Sequence, residues 1–247
     1  MIFIALPNYD GQLNTGLAKA LLDDVPLHKC EVNFYNSSML TGGFNTLWCD
    51  ALNKKADYFL MAHADINPTS RPWIKPLINE LKAHEADAIS VVSPIKDERG
   101  FTSTALTSKG DSNQRRLTIR ECFQLPETFG KHEVAKLFGL KATNSQLLIN
   151  TGLLLVDLKK HRKKMEKLLF RVRNEVEKDK NGNYSAWQWS EDWYWSRDAS
   201  ALGLKLLATR KIQIGHIGVN NFCNCHSWGT LARDDEGKFI AEKTKNK

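Results

Sequence analysis

The chain has 247 residues, 42% of them hydrophobic and 26% charged, with a formal net charge of +7. This is the make-up of a globular chain long enough to bury a sizeable core, and it excludes a disordered or low-complexity polypeptide. No apolar run approaches the roughly 20 residues of a membrane-spanning helix, so no integral membrane segment is expected.

The elements alternate along the chain. Residues 2–6 are apolar throughout and predict a first buried strand; no basic leader precedes them, so a cytoplasmic protein is expected. A short helix follows over 13–22 and a second strand over 30–35, after which Asn36-Ser37-Ser38 supplies capping chemistry. Phe44, Leu47, Trp48, Ala51 and Leu52 recur at the spacing of a helix with one buried face. The third strand is 58–62. Ile74, Leu77, Ile78 and Leu81 mark a helix after Pro72, and a fourth strand covers 88–92. Such alternation implies an α/β fold with a mostly parallel central sheet flanked by helices, joined by right-handed crossovers.

The pattern then weakens. Over 93–145 Gly, Thr, Ser and charges dominate, which predicts an irregular insertion that covers the sheet edge and shapes a pocket. Residues 147–156 are strand-like, interrupted at Asn150-Thr151-Gly152. Met165, Leu168, Leu169, Val172 and Val176 predict a long amphipathic helix within the basic stretch 159–180, broken at Lys180-Asn181-Gly182-Asn183. A second helix spans 190–201, and short strands at 204–208 and 212–214 end the series.

Charge and cysteine usage narrow the partners. The positive excess lies mostly over 159–180 and 238–247; solvated helix faces and a frayed tail account for it, with attraction to an anionic partner such as nucleic acid as the functional alternative. No aromatic-interleaved basic motif of a nucleic-acid module is present. Five cysteines at 30, 49, 122, 223 and 225 are odd in number and scattered, which argues against a disulfide framework. Cys223-x-Cys225-His226 is half of a zinc set; no second Cys/His pair at matching spacing accompanies it, and a structural zinc is the minor reading.

The third strand carries the strongest chemical signal. Its apolar run, Tyr58-Phe59-Leu60-Met61-Ala62, ends abruptly in His63-Ala64-Asp65. Polar side chains directly after a buried strand sit at its C-terminal end, where open α/β sheets bind ligands. A carboxylate there suits a hard divalent cation shared with diphosphate oxygens. His216, bracketed by Gly215 and Gly218 after the last strand, is a second metal-competent side chain. Glu191 and Asp192 open the helix at 190–201; they suit its dipole, or serve a pocket as general base or acceptor anchor. Four of the seven tryptophans fall at 187, 189, 193 and 195, as a packed cluster or as faces for sugar rings or bases. Arg99, with the hydroxyls of Thr102-Ser103-Thr104, occupies a polar loop after the fourth strand.

In this order the motifs resemble those of GT-A-fold glycosyltransferases, in the broad family-2-like group that uses nucleotide-diphosphate sugars. Ala5-Leu6-Pro7-Asn8-Tyr9 looks like the first strand and nucleotide-binding loop, and Phe44-Asn45 stands where such enzymes often carry Arg-Asn. His63-Ala64-Asp65 occupies the Asp-x-Asp position, Glu191-Asp192 looks like the Glu-Asp motif, His216 matches a metal-ligand His, and Trp228-Gly229 resembles part of a closing loop.

The resemblance implies a GT-A-like (Rossmann-like) fold in one domain, with a nucleotide-binding half at 1–95, an acceptor half at 96–220 and a closing loop and basic tail at 221–247. It implies a metal-dependent hexosyltransferase-like enzyme, with Mn²⁺ or Mg²⁺ held by Asp65, His216 and His63. A nucleoside-diphosphate sugar, UDP-linked by expectation, would bind through Pro7, Asn8, Tyr9, Asn45, His63, Arg99 and Trp228. Asp192, with Glu191, would be catalytic, and the acceptor hydroxyl would come from a glycan, a small molecule or modified DNA. The alternatives are a transferase acting on modified DNA bases and a non-catalytic sugar-nucleotide or glycan-binding module of the same fold.

Overall fold

The structure, a computed structural model, describes residues 1–108, 114–234 and 237–241. Its first part contains β1 (Ile2–Asn8), α1 (Thr15–Asp24), β2 (Cys30–Asn36), α2 (Leu40–Asn53), β3 (Tyr58–Ala62), β4 (Ile66–Pro68), α3 (Ile74–Ala83) and β5 (Ala88–Val91). Next come β6 (Phe101–Ser108), β7 (Gln114–Thr118), α4 (Ile119–Gln124), β8 (Thr128–Phe129), α5 (Lys131–Leu137), β9 (Ser145–Leu148) and β10 (Leu153–Asp157). The last part holds α6 (Arg162–Met165), β11 (Arg173–Lys178), β12 (Tyr184–Trp189), α7 (Glu191–Ala201), β13 (Leu206–Thr209), β14 (Ile214–Ile217), β15 (Asn221–Cys223), β16 (Leu231–Arg233) and β17 (Phe239–Ala241).

The central sheet has the order β2-β1-β3-β10-β5-β13-β8. Strands β2, β1, β3, β5 and β13 point one way, while β10 and β8 run against them, so the sheet is mostly parallel. Strand alternation divides the side chains between two faces. Ile2, Ile4, Leu6, Leu60, Ile89 and Leu155 pack with α1 and α3 through Leu17, Leu21, Leu77 and Leu81. Phe3, Ala5, Phe59, Met61 and Val156 pack on the other face with Trp48 of α2, Trp195 of α7 and Phe170. Helices therefore cover both faces, as the alternating pattern predicts.

Four expectations are corrected. The stretch 93–145 is not irregular: β6 pairs with β7 and β9 in a separate antiparallel sheet, and β8 joins the edge of the central sheet at β13. These strands hide from hydropathy because Thr102, Thr104 and Thr107 are buried. The Thr102 hydroxyl donates to the Leu117 carbonyl at 2.9 Å, so a residue that looks solvent-facing is internally satisfied. The long helix within 159–180 does not form. Only α6 is helical there, and the chain continues into the antiparallel β11–β12 hairpin. Met165 and Leu168 are buried but Val176 is 72% exposed, so the apparent stripe never faces one core. The turn is built by Asp179, whose carboxylate accepts from the N–H groups of Asn181 and Asn183, with Gly182 at φ +86°. The strand-like run 147–156 is two strands in different sheets, and the strand expected at 212–214 is β14, which lies outside the central sheet, contains His216 and is followed by β15, β16 and β17. Residues 242–247 of the expected basic tail and 109–113 of the insertion lie outside the described residues.

A buried carboxylate latches α1 to α3. Asp24, the last residue of α1, accepts from the N–H groups of Trp73 (2.8 Å) and Ile74 (2.7 Å), satisfying donors at the start of α3. The Trp73 indole in turn donates to the Ala20 carbonyl at 3.2 Å. Asp24→Ala strands two buried donors, and it is expected to lower unfolding free energy by about 3 kcal/mol. Urea denaturation reads this as a lower midpoint at unchanged slope.

Candidate functional site

Three chain segments converge on the C-terminal end of β3. Leaving the strand, the His63 N–H donates to the Gly152 carbonyl (2.9 Å), which fixes the turn against the segment between β9 and β10. Asn150 holds that segment: its side chain donates to the Val91 carbonyl (2.9 Å) and accepts from the Gly152 N–H (3.0 Å). Beyond the turn, β4 pairs antiparallel with β14, placing His216 opposite Ile66. The Ile217 N–H donates to the Asp65 carbonyl at 2.8 Å. By this register His216 and Asp65 become neighbours: His216 Nε2 lies 3.5 Å from Asp65 Oδ2.

The second nitrogen of His216 is committed. Its Nδ1 lies 2.6 Å from the Pro94 carbonyl, just past β5. A carbonyl only accepts, so Nδ1 carries the proton and Nε2 is the atom turned toward Asp65. A backbone carbonyl behind an imidazole is the arrangement that presents the other ring nitrogen as a ligand.

Asp65 also meets the Lys96 ammonium, which contacts the same Oδ2. Burial works against ionisation of Asp65, but the His216 ring and the Lys96 ammonium beside it outweigh burial and hold the carboxyl far below the usual carboxylate range. Its other oxygen, Oδ1, is buried without a hydrogen-bond partner, as is His63 Nε2. The His63 ring packs 5.0 Å from Phe44, and burial pushes the imidazole down to about 4. It is therefore a neutral base at neutral pH.

His63 and Asp65 line a cleft of about 450 Å³ together with Pro7, Asn8 and Tyr9 at the end of β1, and Ser37 and Ser38 after β2. Five residues singled out from the sequence thus meet in one cleft, with His216 beside them. Tyr9 is 76% exposed at its rim.

The remaining sequence candidates lie elsewhere. The Asn45 amide donates to and accepts from the Phe170 backbone, both at 2.8 Å, and so fixes the segment after α6. Arg99 pairs with Asp97 at 2.7 Å and lies over the Phe101 ring, in a separate cleft that also contains Arg116. The Trp228 indole donates to the Cys223 carbonyl at 2.6 Å. Its neighbour Gly229 (φ +121°) packs so closely on Gly100 that a Cβ on Gly100 would lie 2.6 Å from the Gly229 Cα. The tryptophan cluster is packed: Trp189 and Trp193 are buried against Ala105 and Leu148, and Trp195 joins the main core.

Glu191 and Asp192 open α7. Ser190 takes the N-cap position, but its hydroxyl binds the Asp192 carboxylate instead of a helix N–H. Burial, with the Glu191 charge beside it, pushes the Asp192 carboxyl up to about 7. Burial also raises Glu191. Arg116, stacked 4.5 Å over the Trp193 ring, is the cation that Asp192 feels. A carboxyl titrating near neutrality is matched to general base work.

Sequence reasoning missed Lys96 and Pro94 as parts of this arrangement, whereas Asn150-Thr151-Gly152 resembles a pocket-lining segment. Lys96 had a signal, since a cation directly after the C-terminal end of a buried strand faces the same edge as Asp65. Pro94 acts through its carbonyl and leaves none.

No protein-family model matches the sequence, and no curated protein matches it. Among solved structures, A197 from STIV shares the fold at 13% identity and a TM-score of 0.50, over 98% of this chain and 93% of that one. A mutant UDP-glucose pyrophosphorylase from Leishmania major overlaps at a TM-score of 0.33 and 12% identity, over 82% of this chain and 43% of its own. A UDP-glucose phosphorylase from Trypanosoma brucei overlaps at 0.33 and 14%, over 68% and 36%. Overlap of that size does not bear on activity. No described helix is long and apolar enough to cross a membrane.

The raised Asp192 group gives a signed expectation. Its folded pKa lies above the ordinary 3.8, so between about pH 4 and pH 7 the native state binds the proton that the unfolded state has released. Stability contributed by this group falls as pH rises through that window, by on the order of 1 kcal/mol per pH unit. Asp192→Asn is expected to remove that slope, and paired urea titrations across the window measure the difference.

Proposed function

We propose that this protein is a GT-A-like glycosyltransferase that moves a sugar from a nucleoside-diphosphate sugar, UDP-linked by preference, to an acceptor hydroxyl. The observation that carries the reading is the approach of Asp65 and His216 to 3.5 Å beside the cleft formed by Pro7, Asn8, Tyr9 and His63. A carboxylate and an imidazole nitrogen facing each other call for a cation between them. Asp65 Oδ1 and His63 Nε2, buried without partners, further suit the site to one. Asp65 and His216 would hold Mn²⁺ or Mg²⁺, with His63 beside them, leaving the other coordination positions to diphosphate oxygens and water. When bound, such an ion supplies positive charge that offsets the leaving diphosphate.

The chain's own groups supply the rest. Tyr9 and the β1 loop offer a face and backbone for the nucleotide, and Ser38 also lines the cleft. The acceptor oxygen attacks the anomeric carbon, the bond from that carbon to the diphosphate breaks, and the hydroxyl proton must pass to a base; that role is assigned to Asp192, which is not one of the residues lining the cleft. With its pKa raised to about 7, Asp192 is a stronger base than an ordinary carboxylate while still partly ionised at neutral pH.

Lys96 favours a second reading of the charge balance. Its ammonium already sits on Asp65 and can itself neutralise a diphosphate, so the same cleft can act without a divalent ion. The two readings separate in one assay. With Mn²⁺ as the holder, UDP-glucose raises the melting temperature of the wild type only when Mn²⁺ is present. Asp65→Ala abolishes that rise and lowers turnover at least about 100-fold, as expected for a lost charge stabiliser, while keeping the far-ultraviolet circular dichroism. A rise that survives chelation but vanishes in Lys96→Ala favours the lysine. The nucleoside product must be the diphosphate. Release of pyrophosphate instead would mean nucleotidyl transfer and would sink the glycosyltransferase reading.

A further inference from the structure

The loop after β15 carries a side-chain cluster that the cleft around Asp65 does not use. Cys223 Sγ lies 2.9 Å from Cys225 Sγ, and His226 Nδ1 lies 3.4 Å from the first sulfur and 3.3 Å from the second. Among the described residues, these are the three His, Cys, Asp or Glu ligand atoms that converge within 4.8 Å of one another. A tetrahedral zinc with Zn–S about 2.3 Å and Zn–N about 2.0–2.1 Å needs S···N near 3.5 Å and S···S near 3.8 Å. The two sulfur–nitrogen separations already match, and the sulfurs need to part by about 1 Å.

The cluster is held open by the fold, not by its own contacts. Asn224, between the two cysteines, is 1% exposed. Its side chain accepts from the Ile214 N–H (2.9 Å) and donates to the carbonyls of Val92 and Ile212 (both 3.1 Å). With the middle residue turned inward and pinned at three points, Cys223 and Cys225 point outward together. The Trp228 indole, donating to the Cys223 carbonyl, closes the turn and brings His226 back over the sulfurs. The cysteines are half-exposed and exposed, and both are free thiols. Cys223 and His226 border a shallow cleft of about 200 Å³ with Glu98, Phe222 and Trp228.

We propose that Cys223, Cys225 and His226 form a Zn²⁺ site distinct from the Asp65–His216 pair, with a fourth position open to solvent or an external ligand. Soft thiolates with one imidazole select zinc over the hard Mn²⁺ or Mg²⁺ expected at Asp65. Binding takes the ion as two thiolates and a neutral imidazole, and both thiol protons leave to solvent. Because β15 pairs with β14, opposing Phe222 to His216, a metal here also stiffens the hairpin that carries His216.

Cobalt(II) titration of the full-length protein tests the site. Equimolar Co²⁺ is expected to give thiolate-to-metal charge-transfer absorption and the strong visible bands of a tetrahedral site, both displaced by Zn²⁺. The bands should persist in Asp65→Ala and vanish in Cys223→Ser/Cys225→Ser. Outer-shell partners alone are worth roughly 10–100-fold in metal affinity, so His226→Ala, which removes a ligand, should weaken Zn²⁺ binding about 100-fold or more. A wild type that shows no thiolate band, or the same band in the double-serine variant, overturns the proposal. So does mass spectrometry of freshly purified protein that finds the two thiols joined and the chain lighter by two hydrogens. The wild-type spectrum decides the matter even where the double variant fails to fold.

Discussion

The arrangement around Asp65 depends on one short antiparallel ladder. Strand β4 is only three residues long, yet its pairing with β14 sets His216 opposite Ile66 and lets the Asp65 carbonyl take the Ile217 N–H. A slip of one residue would turn His216 to the other side of β14. That register is enforced from outside the ladder. Asn224 ties Ile214 to the end of β5, and the Pro94 carbonyl captures His216 Nδ1 from the same direction. Three segments far apart in sequence are thus locked together by polar contacts to backbone groups.

Electrostatics at this point are poised rather than closed. The Asp65 and Lys96 side chains are 38% and 36% exposed, so their ion pair is screened by water and worth about 0–1 kcal/mol. Displacing Lys96 from Asp65 is therefore inexpensive. The enclosed groups behave differently. His63 is buried enough to stay neutral, and its Nε2 has no partner among the described residues. An exchangeable cation beside a fixed neutral base is what the proposed exchange of a diphosphate at this cleft would use.

The sequence made some elements plain and concealed others for reasons that are physical. β1, β3 and β5 are continuous apolar runs because helices cover both faces of the sheet, and such runs are hard to mistake. The end of β3 was equally clear, because its continuous apolar run stops at the polar His63-Ala64-Asp65. The insertion was illegible because its threonines are buried, with the Thr102 hydroxyl satisfied by the Leu117 carbonyl, and hydropathy has no means of seeing that. The stretch from Arg162 to Trp189 was misread because a five-residue apolar spacing can arise by chance in a chain that folds as a short helical turn and a hairpin. Asn181-Gly182 was the stronger local signal, being a preferred turn pair for two antiparallel strands.

Asparagine shows why residue type alone does not separate scaffold from site. Asn45, Asn150 and Asn224 each present one acceptor and two donors, the same groups that would bind a sugar or a nucleotide. In this fold each meets backbone instead: Phe170 for Asn45, Val91 and Gly152 for Asn150, and Ile214, Val92 and Ile212 for Asn224. The last two hold the segments that deliver the Gly152 carbonyl and His216 to the end of β3, so they act on the site through its framework. A free peptide edge and a ligand offer an amide the same partners. Only the tertiary path of the chain decides which of them is there first.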